Sequence, residues 1–130
     1  MRQDQTKTEP PVQRIRWIWF RGTEILQVDF SHCTAEQVQK VAQEVPDYVT
    51  VRPRGSVIVI TDFSGASFNK DALRTMKETA VFDKPFVKKS AFIGAQTLPH
   101  QFYEDLKIFS RRVLPIFESR EEALEWLVAP

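Results

Sequence analysis

A chain of 130 residues is one domain by size, with room for a single core and not for two. Apolar side chains make up 42% and charged ones 27%, the balance of a folded globular protein rather than a disordered one. Eighteen basic against seventeen acidic side chains leave a formal charge of +1, which argues against nucleic acid as the main partner.

Residues 1–12 are polar up to Pro10-Pro11 and are expected to form a flexible tail ahead of a domain over 13–130. The tail lacks the apolar centre of a signal peptide, and no later stretch has the length of a membrane span. A cytoplasmic protein without integral membrane association is expected. Arg14 to Phe20 alternates as a strand, with Ile15, Trp17 and Trp19 on one face and Arg16, Ile18 and Phe20 on the other. Gly22-Thr23 turns the chain, and Ile25 to Phe30 returns as an antiparallel partner.

Thr34 with Gln37 is a capping box, and Ala35, Val38, Val41, Ala42 and Val45 form the buried stripe of the helix it opens. Pro46 is expected to end or kink that helix, with a short turn over Tyr48 to Val51. Val57 to Asp62 is apolar on both faces, as a strand buried in a parallel sheet requires. Asn69 caps a second helix carrying Leu73, Met76 and Ala80, which ends before Pro85. Lys88 to Gly94 is the next strand. Pro99 suits the first turn of a third helix whose stripe is Phe102, Leu106, Phe109 and Val113, closed by Pro115. Ile116-Phe117 reads as a last edge strand, and Ser119 with Glu122 as a second capping box for the final helix.

The order of elements predicts an α/β domain: a mostly parallel five-stranded sheet with an antiparallel first strand, and four helices joined through right-handed crossovers. No internal repeat or low-complexity segment is evident. In such a sheet the strand ends place Ser31-His32-Cys33, Asp62-Phe63-Ser64-Gly65 and Gly94-Ala95-Gln96 on one rim, where ligands of open α/β sheets bind. A serine, two histidines and an acid there suggest a hydrolase, with Ser64 as nucleophile, His32 or His100 as base and Asp62 as orienter. No nucleophile elbow accompanies them. A metal site at His32, Cys33, Asp62 and His100 lacks the usual close ligand pairs, and Gly65-Ala66-Ser67 lacks the lysine and glycine spacing of a phosphate loop. No metal or cofactor is expected. Ser64 also has a plainer role, bonding nearby backbone amides in a turn.

Ten phenylalanines, three tryptophans and two tyrosines exceed what a core of this size obviously needs. A first strand apolar on both faces requires a cover. A homodimer interface through Trp17 and Trp19, or through Phe102 and Phe109, is one solution, and an apolar ligand held between helix and sheet is the other.

The phrases Ile25-Leu26-Gln27-Val28-Asp29-Phe30-Ser31, Val57 to Asp62, Lys84 to Ala91 and Phe117 to Leu127 resemble the SpoIIAA-like proteins of the STAS type, a bacterial group sometimes placed with the CRAL–TRIO lipid-binding fold. The resemblance covers about Arg14 to Val128. It implies a non-enzymatic regulatory or ligand-binding module, often dimeric. In the regulatory STAS proteins an Asp-Ser-Ser-Gly turn carries a phosphorylated serine, and Asp62-Phe63-Ser64-Gly65 matches it with Phe63 in place of the first serine. The resemblance thus implies a module that binds a protein partner through Asp62, Phe63, Ser64, Gly65, Ser31 and His32, with Ser64 as a switch. A carrier of a small apolar ligand or lipid is the alternative, and a small hydrolase using Ser64 the third reading.

Overall fold

The computed structural model describes residues 13–130, and the tail expected over residues 1–12 lies outside them. Strands β1 (Ile15–Phe20), β2 (Thr23–Asp29), β3 (Val57–Asp62), β4 (Val87–Ile93) and β5 (Ile116–Phe117) form one sheet in the order β1-β2-β3-β4-β5. The β1–β2 pair is antiparallel and the other pairs are parallel. Helices α1 (Ala35–Val49), α2 (Lys70–Asp83) and α3 (His100–Ser110) connect successive parallel strands, and α4 (Arg120–Val128) follows β5. Crossovers of one hand between strands laid down in sequence order put their helices on the same face. Accordingly Val38, Ala72, Met76, Phe102 and Leu106 of α1–α3 share one core with Leu26, Val28, Val59 and Phe92. Ala123, Leu124 and Leu127 of α4 cover the opposite face, over Ile25, Ile60, Ala91 and Ile93. The expected α/β architecture is the one observed.

The capping box of α1 forms in full: Gln37 N donates to Thr34 Oγ1 at 3.2 Å and Thr34 N donates to Gln37 Oε1 at 2.9 Å. At Ser119 the serine half is present, its Oγ accepting from Glu122 N at 3.1 Å. Two expectations are corrected. First, α1 runs through Pro46 to Val49, so the separate turn expected at Tyr48 is its last turn. Val49 is fully buried, and Thr50 donates to Pro46 O through both N, at 3.0 Å, and Oγ1, at 2.8 Å. Burial at the helix end outweighs the local cost of proline, roughly 3 kcal/mol in a helix interior. Second, α3 stops at Ser110 because Arg111 turns left-handed at φ 56°, which swings Val113 into solvent and puts Leu114 in the core instead. Tyr103 Oη donates to Leu114 O and fixes that loop.

Candidate functional site

The strand ends do converge. Asp29 of β2 and Asp62 of β3 are register partners, and each bends the chain in the same way. Ser31 N donates to Asp29 Oδ1 and Ser64 N to Asp62 Oδ1, both at 2.8 Å, so two side-chain turns lie side by side. His32 N donates to Ser64 O at 2.7 Å and Phe63 N to Ile93 O at 2.9 Å, tying the turns to each other and to the end of β4. Arg14 Nη1 reaches Ser31 O at 2.9 Å from the first strand's side. The tripeptide Asp-Phe-Ser occurs at 29–31 and again at 62–64, a short repetition that the sequence reading passes over. Its two phenylalanines stack with centroids 5.4 Å apart and planes 6° from parallel.

Packing in this rim is tight. Gly94 has φ 65°, and a Cβ there would run into Ser64 Oγ, with Ser64 N at 2.7 Å and Cα at 2.8 Å. Ser64 is therefore half-buried against the glycine, while His32 and Gly65 are exposed. Phe63, expected at a partner surface, is 1% exposed and belongs to the core. The reason is strand parity: it continues the inward series Val57, Val59, Thr61. Beside the rim, on the α4 face, a polar cleft of about 240 Å³ is lined by Arg16, Gln27, Asp29, Asp62 and Arg120 over a floor of Ile60 and Ile93.

Ser64, the two histidines and Asp62 are not joined to one another through their side chains among the described residues, and Asp62 Oδ1 accepts from the backbone of Ser64 rather than from an imidazole. His100 is 84% exposed, its Nε2 lying 3.9 Å from Glu104 Oε2. The thiol of Cys33 is buried, and desolvation pushes its pKa up, away from reactivity. No group of three or more His, Cys, Asp or Glu side chains able to hold a metal ion occurs among the described residues.

The aromatic residues expected at a dimer interface divide. Phe102 is in the core, which corrects its assignment, and Phe109 is half-buried. Trp17 is covered from within, because the Arg52 guanidinium lies 3.7 Å from its ring centroid and pairs with Glu24 at 2.5 Å. Trp19 alone of the four stays open, at 70% exposure. Lys89 has a structural role. Lys89 Nζ donates to Trp126 O at 2.6 Å and to Ala129 O at 3.2 Å, at the C-terminus of α4, where a cation is favoured.

Between the sheet and α1–α3 lies a mainly apolar space of about 140 Å³, walled by Val28, Val59 and Phe92 from the sheet and Ala42, Met76 and Leu106 from the helices. Phe30 and Phe63 line it beneath the rim, and Asp83, Lys84, Ser110 and Arg112 line it near the start of β4. Asp83, the last residue of α2, is 8% exposed, and its Oδ1 has no hydrogen-bond partner among the described residues. Burial pushes its carboxyl pKa from 3.8 up to about 7. The two cations nearby are occupied otherwise. Arg112 donates to Lys84 O at 2.7 Å and to Lys88 O at 3.2 Å, and Lys84 Nζ lies 3.5 Å from Phe109 O. An unsatisfied buried polar atom costs about 1–3 kcal/mol. Nothing in the sequence singled out Asp83, which reads as a surface charge beside Lys84.

No protein-family model matches the chain, and no curated protein matches it. Among solved structures, an uncharacterised DUF3478-family protein from Shewanella loihica PV-4 with a SpoIIAA-like fold superposes with a TM-score of 0.69 at 16% identity. The match spans 87% of this chain and 91% of that one. The likeness establishes a shared SpoIIAA-like fold. None of the helices among the described residues is long and apolar enough to cross a membrane.

Proposed function

We propose that this chain, built on the SpoIIAA-like fold, is a non-enzymatic binding module whose ligand is a small, largely apolar molecule held between the sheet and α1–α3. One observation carries the reading: an apolar cavity of about 140 Å³ lined by a buried carboxylate with an unsatisfied oxygen. Apolar pockets with a few placed polar groups are the usual form of a small-molecule site. The aromatic excess noted in the sequence supports the same reading, since Phe30, Phe63 and Phe92 all line the cavity. The test is extraction of protein purified without denaturation, with mass spectrometry of what it releases. An apolar compound near one per chain is expected from wild type and not from Ala42→Phe, which fills the cavity. Wild type that carries nothing and takes up neither benzene nor hexan-1-ol overturns the reading.

A second reading, protein-partner binding at the rim, is favoured by the exposed His32 and Gly65 beside the polar cleft. In that reading Ser64 is a phosphorylation switch: a phosphate adds up to about two negative charges next to Asp62 and loosens the packing against Gly94. Ser64→Asp is expected to change the set of captured proteins while the fold is kept. Identical sets for wild type and variant count against the switch.

A further inference from the structure

We propose that the occupant of this cavity is a small neutral alcohol, aliphatic or phenolic, whose hydroxyl donates a hydrogen bond to Oδ1 of Asp83. The proposal rests on the apolar-ligand reading above and names the chemistry of the ligand's head. An orphan carboxylate oxygen, nine-tenths buried, requires a donor, and no protein group among the described residues supplies one. The walls formed by Val59, Ala42, Met76 and Leu106 require that the rest of the ligand be hydrocarbon.

Charge selects among heads. Lys84 and Arg112 line the same cavity, so an ammonium placed at Asp83 meets two cations. A carboxylate head is repelled by Asp83 whenever that carboxyl is ionised. A neutral hydroxyl meets neither penalty. With its pKa pushed up to about 7 by burial, the Asp83 carboxyl is present in both forms near neutrality. A hydroxyl donates to the ionised form and accepts from the protonated one; an ether only accepts, from the protonated form, and a hydrocarbon does neither. Size suggests the body. A space of about 140 Å³ is close to the roughly 150 Å³ that accommodates benzene in an engineered core, so on the order of six to ten heavy atoms fill it.

The experiment is a heteronuclear NMR titration of the full chain at pH 7 with hexan-1-ol and its isomer 1-methoxypentane, which has the same atoms and no donor. Hexanoate and hexylamine complete the series. Wild type is expected to bind hexan-1-ol on the order of tenfold tighter than the ether. In Asp83→Leu that preference falls to about twofold or less, while the ether's own affinity is kept or rises. Asp83→Asn, which preserves shape and an acceptor oxygen, retains part of the preference and serves if the leucine variant does not fold. Equal binding of alcohol and ether to wild type overturns the alcohol assignment and leaves the apolar-ligand reading standing. Tighter binding of hexanoate or hexylamine also overturns it. Failure of all four probes to bind overturns the underlying reading as well.

Discussion

Replacing Asp83 with asparagine should stabilise the fold, and by an amount that grows with pH. Asp83 closes α2 with its carboxyl buried and Oδ1 unsatisfied, which raises its pKa from 3.8 to about 7. Between those values the folded state holds a proton that the unfolded state has released. The unfolded state binds fewer protons, so stability falls as pH rises through this window and levels off above the folded pKa. Each pH unit corresponds to about 1.4 kcal/mol, hence about 4 kcal/mol across the whole interval and about 2–3 kcal/mol between pH 5 and pH 8. Asparagine does not titrate, so the variant lacks this loss. Urea unfolding of wild type and Asp83→Asn at pH 5, 6, 7 and 8 measures the difference directly, with other titrating groups cancelling between the two proteins. The difference should widen by about 2–3 kcal/mol toward pH 8. A difference that is the same at pH 5 and pH 8 would refute the claim that this carboxyl is desolvated and unpaired.

Gly94→Ala should lower stability by more than about 2 kcal/mol in the same assay, since its Cβ meets the backbone of Ser64 as well as Oγ and its φ is 65°. Gly65→Ala should cost less, about 1 kcal/mol, because its Cβ meets only the ring of the exposed His32, which can swing aside. Phe63→Ala should cost about 3–5 kcal/mol, the range for a fully buried aromatic ring, with a matching drop in thermal midpoint. A cost below about 1 kcal/mol would place Phe63 at a surface after all. Thr34→Ala removes half of a complete capping box and should cost about 1 kcal/mol by urea unfolding.

The elements and the mostly parallel sheet were legible because each apolar pattern is long enough to be read locally: an unbroken run for β3, spacings of three and four residues for α2 and α4. The misreadings arise where distant packing overrides local rules. Pro46 stays inside α1 because Val49 beyond it is buried. Val113 leaves the α3 stripe because Arg111 takes a left-handed turn that no residue type announces. At the rim, the meeting of Ser31, His32, Ser64 and Gly94 followed from the parallel sheet alone. Phe63 was placed on the wrong side although its parity with Val57, Val59 and Thr61 was visible, and the repeated Asp-Phe-Ser was a second available signal. Asp83 had no such signal. It sits beside Lys84, which is bonded to Phe109 O and to Arg112, groups 25 and more residues further along the chain.

The central claim is that the space between the sheet and α1–α3 is a ligand site, and intermolecular nuclear Overhauser measurements with benzene as an apolar probe test it most directly. The account predicts saturable transfer to the methyl groups of Val59, Met76 and Leu106, which line the cavity, and none to those of Ile108, which is 75% exposed on the outer side of α3. Transfer confined to Ile108 and other exposed methyls, with the cavity methyls silent at saturating benzene, would contradict it.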